Sequence, residues 1–203
     1  MLRRTLLITL AAAPFAPAFF PSAWAQDADP RLADRAMGPA DAKVVVTEWF
    51  SLTCSHCADF QKTTFPTVKA KLIDTGRIRY VWRDFPLDKI ALAAAMVARA
   101  LPAERYEPFI STLLATQDRW AFARNVNPME ELAKLAALAG LPRRVFDETL
   151  NDTTLQSAIL ALQDDADKNL KVSSTPTFVM NGRLTPGAVK YEEFERAVND
   201  AAA

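Results

Sequence analysis

Four consecutive residues, Cys54-Ser55-His56-Cys57, hold both cysteines of the chain and its single histidine. Every soft nucleophile, and the one side chain that ordinarily titrates near neutrality, therefore lies within one turn of chain. Two cysteines scattered at random would fall three positions apart roughly once in a hundred trials, so the C-x-x-C spacing carries information. A structural zinc site takes about four cysteine or histidine ligands. This chain offers three, with His56 poorly placed between the cysteines to complete a tetrahedron. An inert structural disulfide normally clips a long loop, whereas a two-residue spacer constrains an unfolded chain little. The chemistry that fits best is a dithiol that cycles with its disulfide.

The neighbouring sequence predicts what carries the motif. Val44, Val45 and Val46 open an apolar, β-branched run through Phe50, the pattern of a strand buried on both faces. After Cys57 the period changes: Phe60, Thr64, Val68 and Leu72 recur at helical spacing up to Gly76, with Pro66 expected to kink the helix. Cys54 thus falls where a strand hands over to a helix N-terminus, whose unpaired N–H groups and dipole stabilise a thiolate. His56, if protonated, would add positive charge beside the sulfur. Stabilising the thiolate favours the reduced dithiol and makes its disulfide the stronger oxidant.

The chain around this unit divides simply. Arg3 and Arg4 precede an apolar run from Leu6 to Phe20, and Ala23-Trp24-Ala25 before Gln26 is a small-residue cleavage signature, so residues 1–25 read as a cleaved secretory signal peptide. The Arg-Arg pair leaves the choice between the general secretory route and twin-arginine export open. An oxidising destination suits a redox-active cysteine pair. With 24 basic against 24 acidic residues, the chain gives no sign of nucleic-acid binding.

Residues 26–42 read as a polar, Ala-rich lead-in. Arg77 to Phe85 alternates as a second strand, ended by Phe85-Pro86. The following stretch, about 88–171, reads as helical with breaks at Pro102, Pro128 and Gly140. Its apolar faces are expected to include Val97, Leu132, Ile159 and Leu170, with Phe109, Trp120 and Phe122 as core aromatics. Thr177 to Met180, the turn Asn181-Gly182, and Arg183-Leu184 read as a hairpin. A last helix starts near Tyr191 with Phe194 and Val198 inward. The fold class is α/β, one unit over 26–203 with a helical insertion.

With C-x-x-C opening a helix, Thr175-Pro176 immediately before a strand, and an Asn-Gly hairpin before a terminal helix, the chain resembles the thioredoxin fold. Adding the insertion and the His56 spacer, it resembles the periplasmic DsbA-type thiol:disulfide oxidoreductases. That resemblance implies a catalytic set of Cys54 as exposed nucleophile, Cys57 as buried partner, and His56. It implies tuning and substrate-binding roles for Ser55, Thr175, a cis Pro176, and Glu48, six residues before Cys54, as a buried acid with a raised pKa that exchanges protons with Cys57. It also implies clients that are newly exported cysteine-containing proteins, and a DsbB-type, quinone-linked membrane reoxidant. No metal or organic cofactor and a monomeric state are expected. Thr175 stands where such proteins usually carry valine, which keeps an isomerase or reductase of the same fold as the rival. A thiol-independent periplasmic binding or chaperone module is the rival of another class.

Overall fold

The computed structural model describes residues 29–203; residues 1–25, read above as a signal peptide, lie outside it. Among the described residues, five strands form one mixed sheet: β1 (Arg35–Met37), β2 (Val44–Phe50), β3 (Ile78–Asp84), β4 (Thr177–Met180) and β5 (Arg183–Pro186), in the order β1-β3-β2-β4-β5. β2 lies in the centre, parallel to β3 and antiparallel to β4. Its register sets Val46 against Tyr80 and Met180, and Glu48 against Trp82 and Phe178.

Between β2 and β3 the chain crosses through α1 (Ser55–Thr63), α2 (Phe65–Val68) and a π-helical turn at Lys69–Ile73. The break between α1 and α2 comes at Thr64, just ahead of Pro66, which has no N–H to donate into the preceding turn. Phe60, Phe65, Val68 and Leu72 are buried against Val46, Phe50, Tyr80 and Trp82. The C-terminal helix α9 (Tyr191–Ala202) closes this side with Phe194 and Val198.

The insertion between β3 and β4 consists of α3 (Lys89–Ala100), α4 (Ala103–Ala115), α5 (Gln117–Trp120), α6 (Pro128–Leu138), α7 (Arg143–Leu150) and α8 (Thr153–Leu170). An ion pair anchors it: the Arg99 guanidinium, on α3, donates to Asp84 at the end of β3, both groups buried. Arg99 also donates to the Arg31 carbonyl at 2.9 Å, and Tyr106 donates to Asp84 at 3.3 Å. Such a pair holds because its members share these further hydrogen bonds; removing one partner would strand the other charge.

Three expectations differ from the structure. The lead-in contains β1, which pairs antiparallel with β3 (Arg35 opposite Trp82); at three residues it is too short to show a period. β2 is not buried on both faces throughout, for Val45 is 36% exposed. The far face is covered by Ala166 of α8 together with Val172, which pack with Trp49 and Phe85 at the other end of the strand. Phe122 and Leu170 are also exposed: the first lies in the turn after α5, the second at the last residue of α8, beyond the helix's contact with the sheet. Phe109 and Trp120 are buried as expected.

Candidate active site

The segment Ser51–Cys54 joins β2 to α1, and its four residues are buried. Its backbone is tied down from the insertion. The Gln117 amide, at the start of α5, donates to the carbonyls of Leu52 and Cys54 at 2.9 and 3.0 Å. The Thr53 hydroxyl donates to Asp88 at 2.7 Å, and the other oxygen of Asp88 accepts from Ala91 N–H at 2.7 Å, capping α3. The helical insertion therefore fixes the loop that presents the cysteines, which is how a reactive group is held against a rigid scaffold.

Cys54 is the N-cap of α1 with extended backbone (φ −85°, ψ 119°). Neither cysteine is in a disulfide, and Cys54 Sγ lies 3.3 Å from the Thr175 carbonyl, to which it donates when protonated. The Cys54 pKa falls to about 5. A hydrogen bond from the Cys57 thiol is the largest cause; the Thr175 hydroxyl and the backbone N–H groups of Cys57 and His56 add to it, against desolvation. That hydroxyl lies near the sulfur but is buried with no hydrogen-bond partner in ordinary geometry among the described residues. Cys57 is fully buried, and its thiol is pushed far up by burial first, then by its donation to Cys54 and by the charges of Glu48 and Cys54. Two sulfurs three residues apart along the chain are thereby given opposite protonation.

His56 and Ser55 are exposed on the first turn of α1. In this geometry His56 bears on the sulfur through its backbone N–H, and not through the ring charge expected of the spacer. The Thr175–Pro176 peptide bond is cis, with both residues buried at the entry to β4. Pro176 accepts from Gly187 N–H at 2.8 Å, which ties it to the far end of β5.

Glu48 is 2% exposed, on the central strand beneath the cysteines. Burial raises its pKa to about 7, partly opposed by a 2.7 Å hydrogen bond from the Tyr80 hydroxyl. The folded protein thus keeps this proton well above the ordinary value of 4.5, at which the unfolded chain releases it. The stability linked to the protonated form is complete below pH 4.5 and is lost as pH rises through about 7. Glu48→Gln is accordingly expected to leave stability unchanged near pH 4. At pH 8 it should raise stability by about 3 kcal/mol, checked by urea unfolding at the two pH values. An equal effect at both would show the carboxyl to be solvated.

Gln117, Tyr80 and Asp88 were not singled out as site residues from the sequence. The one available signal was a polar Gln117 three residues before the core residue Trp120 on a short helix. Among the described residues there is no cluster of three or more histidine, cysteine or acidic side chains able to hold a metal ion.

A thioredoxin family model matches residues 31–200. A candidate protein-disulfide oxidoreductase of Rickettsia prowazekii is 33% identical over 169 residues, 83% of this chain and 61% of that protein, so the chain spans about three fifths of the relative's length. The thiol:disulfide interchange protein DsbA of Pectobacterium carotovorum is 29% identical over 149 residues, 71% of this chain and 69% of that protein. The crystal structure of α-DsbA1 from Wolbachia pipientis superposes with a TM-score of 0.77 at 28% identity, covering 84% of this chain and 92% of that one. A cysteine pair of opposite protonation at the head of α1, a cis-proline against it and a helical insertion clamping the loop are thus set in a chain that belongs to the thioredoxin family, as a DsbA-type member.

Proposed function

We propose that this protein is an exported thiol:disulfide oxidoreductase that passes the Cys54–Cys57 disulfide to the thiols of newly secreted proteins. The observation that carries the reading is the placement of Cys54 at the N-cap of α1, against the cis Thr175–Pro176 bond and with Cys57 fully buried beside it, which lowers the pKa of Cys54 and keeps Cys57 protonated. A dithiol stabilised in this way is a weak reductant, and its disulfide is a strong oxidant.

In the forward direction a substrate thiolate attacks Cys54 Sγ. A bond forms between the two sulfurs, the Cys54–Cys57 bond breaks, and Cys57 leaves as a thiolate that takes a proton from Glu48. A second substrate thiolate then attacks the substrate sulfur of the mixed disulfide and expels Cys54 as a thiolate. The substrate loses two electrons and the active-site pair gains them. Cys54 is the better leaving group because its thiolate is stabilised, and access favours attack on it because Cys57 is fully buried.

The other residues take roles consistent with their positions. Ser55 and His56 form the exposed spacer, and the His56 backbone N–H helps to hold the Cys54 sulfur as a thiolate. Thr175 and Pro176 offer the backbone edge against which a substrate segment lies. Residues 26–203 act as one monomeric domain in the periplasm after removal of 1–25. A DsbB-type, quinone-linked membrane protein returns the pair to the disulfide. Among the described residues no helix is long and apolar enough to cross a membrane.

The reduction potential, measured by equilibration against defined glutathione ratios, tests the reading. A value toward about −120 mV, at the oxidising end of the thioredoxin-fold range, is expected. A value near about −270 mV would replace the donor with a reductase and make Thr175 the better guide to its class.

A further inference from the structure

Glu48 has one hydrogen-bond partner among the described residues, the hydroxyl of Tyr80 at 2.7 Å. The two side chains come from neighbouring parallel strands: Tyr80 pairs with Val46, and Glu48 pairs with Trp82 two residues further along, so both project from the same face of the sheet. The Tyr80 ring is locked there by Phe65, Trp82 and Phe194, at centroid distances of 5.3, 5.1 and 6.5 Å. Both side chains are buried, and Tyr80 has no exposed surface.

The chemical surroundings of the carboxyl are otherwise simple. From α1 it faces Cys57 and Cys54, and from β3 it faces Tyr80. β4 sets Phe178 opposite it, and α2 and α9 contribute Phe65 and Phe194 to the same cluster, none of which ionises. The hydroxyl of Tyr80 is held far above its ordinary pKa by burial and by Glu48, so it remains a neutral donor at any working pH.

We propose that Tyr80 is the positioning residue that decides when Glu48 can take the proton of Cys57. This rests on the assignment of Glu48 as the proton partner of Cys57. The step concerned is the reoxidation of the dithiol from a mixed disulfide on Cys54. Cys57 Sγ forms a bond to Cys54 Sγ, the Cys54–partner bond breaks, the partner leaves as a thiolate, and the Cys57 proton passes to the Glu48 carboxylate. The carboxylate needs to be ionised beforehand, and in an apolar cluster a single donor has a large share in determining the pH at which it is. Tyr80 supplies that donor with no charge of its own, so it favours the carboxylate without adding a cation beside Cys54.

The test uses the full reduced protein mixed rapidly with saturating glutathione disulfide from pH 5 to 9, following release of the second glutathione. In the unaltered protein this rate should rise with the ionisation of Glu48. Tyr80→Phe keeps the ring and removes the donor; the midpoint should move up by about one pH unit. That makes the step about tenfold slower at pH 6 and nearly unchanged at pH 9. In a Glu48→Gln background the same change should alter the rate less than about twofold at any pH. Slowing by Tyr80→Phe that is equal at all pH values, or that persists in the Glu48→Gln background, would make Tyr80 a packing residue and overturn the proposal while leaving Glu48 in place. A Glu48→Gln profile identical to that of the unaltered protein would remove Glu48 from the reaction, and the Tyr80 role with it. A variant-free measurement covers poor folding: the carbon-13 shifts of the Glu48 carboxyl and of Tyr80 Cζ should titrate with one common midpoint, and separate midpoints overturn the proposal.

Discussion

Cys54→Ser is expected to abolish oxidation of a model dithiol peptide, a loss of more than about 1,000-fold, with little change in the fold. Cys57→Ser should also fail to turn over, but by a different route. Cys57 is fully buried and Cys54 lies beside the cis-proline edge, so an incoming disulfide can still be attacked by the Cys54 thiolate of the Cys57→Ser protein. The adduct then has no internal thiol to release it. Mass spectrometry after mixing with glutathione disulfide should find one glutathione per molecule in Cys57→Ser and none in Cys54→Ser. Cys57→Ala adds a sharper condition, because the Cys57 thiol is the largest cause of the low Cys54 pKa. Serine can replace that donor and alanine cannot, so adduct formation at pH 6 should be slower in Cys57→Ala than in Cys57→Ser. Cys54→Ser activity within tenfold of the unaltered protein would displace the redox reading in favour of a thiol-independent binding module.

The parts of this site that were legible from the sequence are those whose chemistry is written in residue type and short spacing. C-x-x-C, the change from a strand period to a helical period around it, Thr175-Pro176 and Asn181-Gly182 are all local signals. The structure sets a cis bond at Pro176 and positive φ at Asn181 and Gly182. The parts that were not legible depend on long-range pairing. Gln117 reaches the loop across 65 positions to Leu52, and Tyr80 reaches Glu48 across 32. No periodicity records which buried hydroxyl meets which carboxyl. Glu48 occupies an intermediate position: an acid in an apolar strand is conspicuous in sequence. Whether it is solvated or sealed is decided by the register that brings Trp82 and Phe178 to either side of it. β1 escaped because three residues cannot establish alternation, although Arg35 within it is buried and donates to the Arg99 carbonyl at 2.9 Å.

The gap in stability between the reduced and the oxidised protein is expected to depend on pH, with Cys54 setting the dependence. Its folded pKa, about 5, lies below the unfolded thiol value of 9.0, so the reduced protein gains stability that is complete above pH 9 and is lost as pH falls through about 5. At pH 7 the gain is about 2 kcal/mol after allowance for solvent screening at a sulfur near the surface. The disulfide form has no thiolate and gains nothing from this source. It does gain from constraint of its unfolded chain, but that contribution is independent of pH and cancels from the slope. Urea unfolding of both forms should therefore show the reduced-minus-oxidised difference growing by about 2 kcal/mol from pH 4 to pH 7 and continuing upward toward pH 9. Through the redox cycle, about 2 kcal/mol at pH 7 corresponds to about 45 mV of added oxidising power. One coupling works against it: the Cys54 thiolate raises the pKa of Glu48, so part of the gain is returned near neutrality in the reduced form alone. Glu48→Gln removes that opposition, and the pH dependence should then steepen around pH 7. A reduced-minus-oxidised difference that stays flat from pH 4 to pH 9 would mean that Cys54 is not stabilised as a thiolate, and the chain would lack the source of its oxidising power.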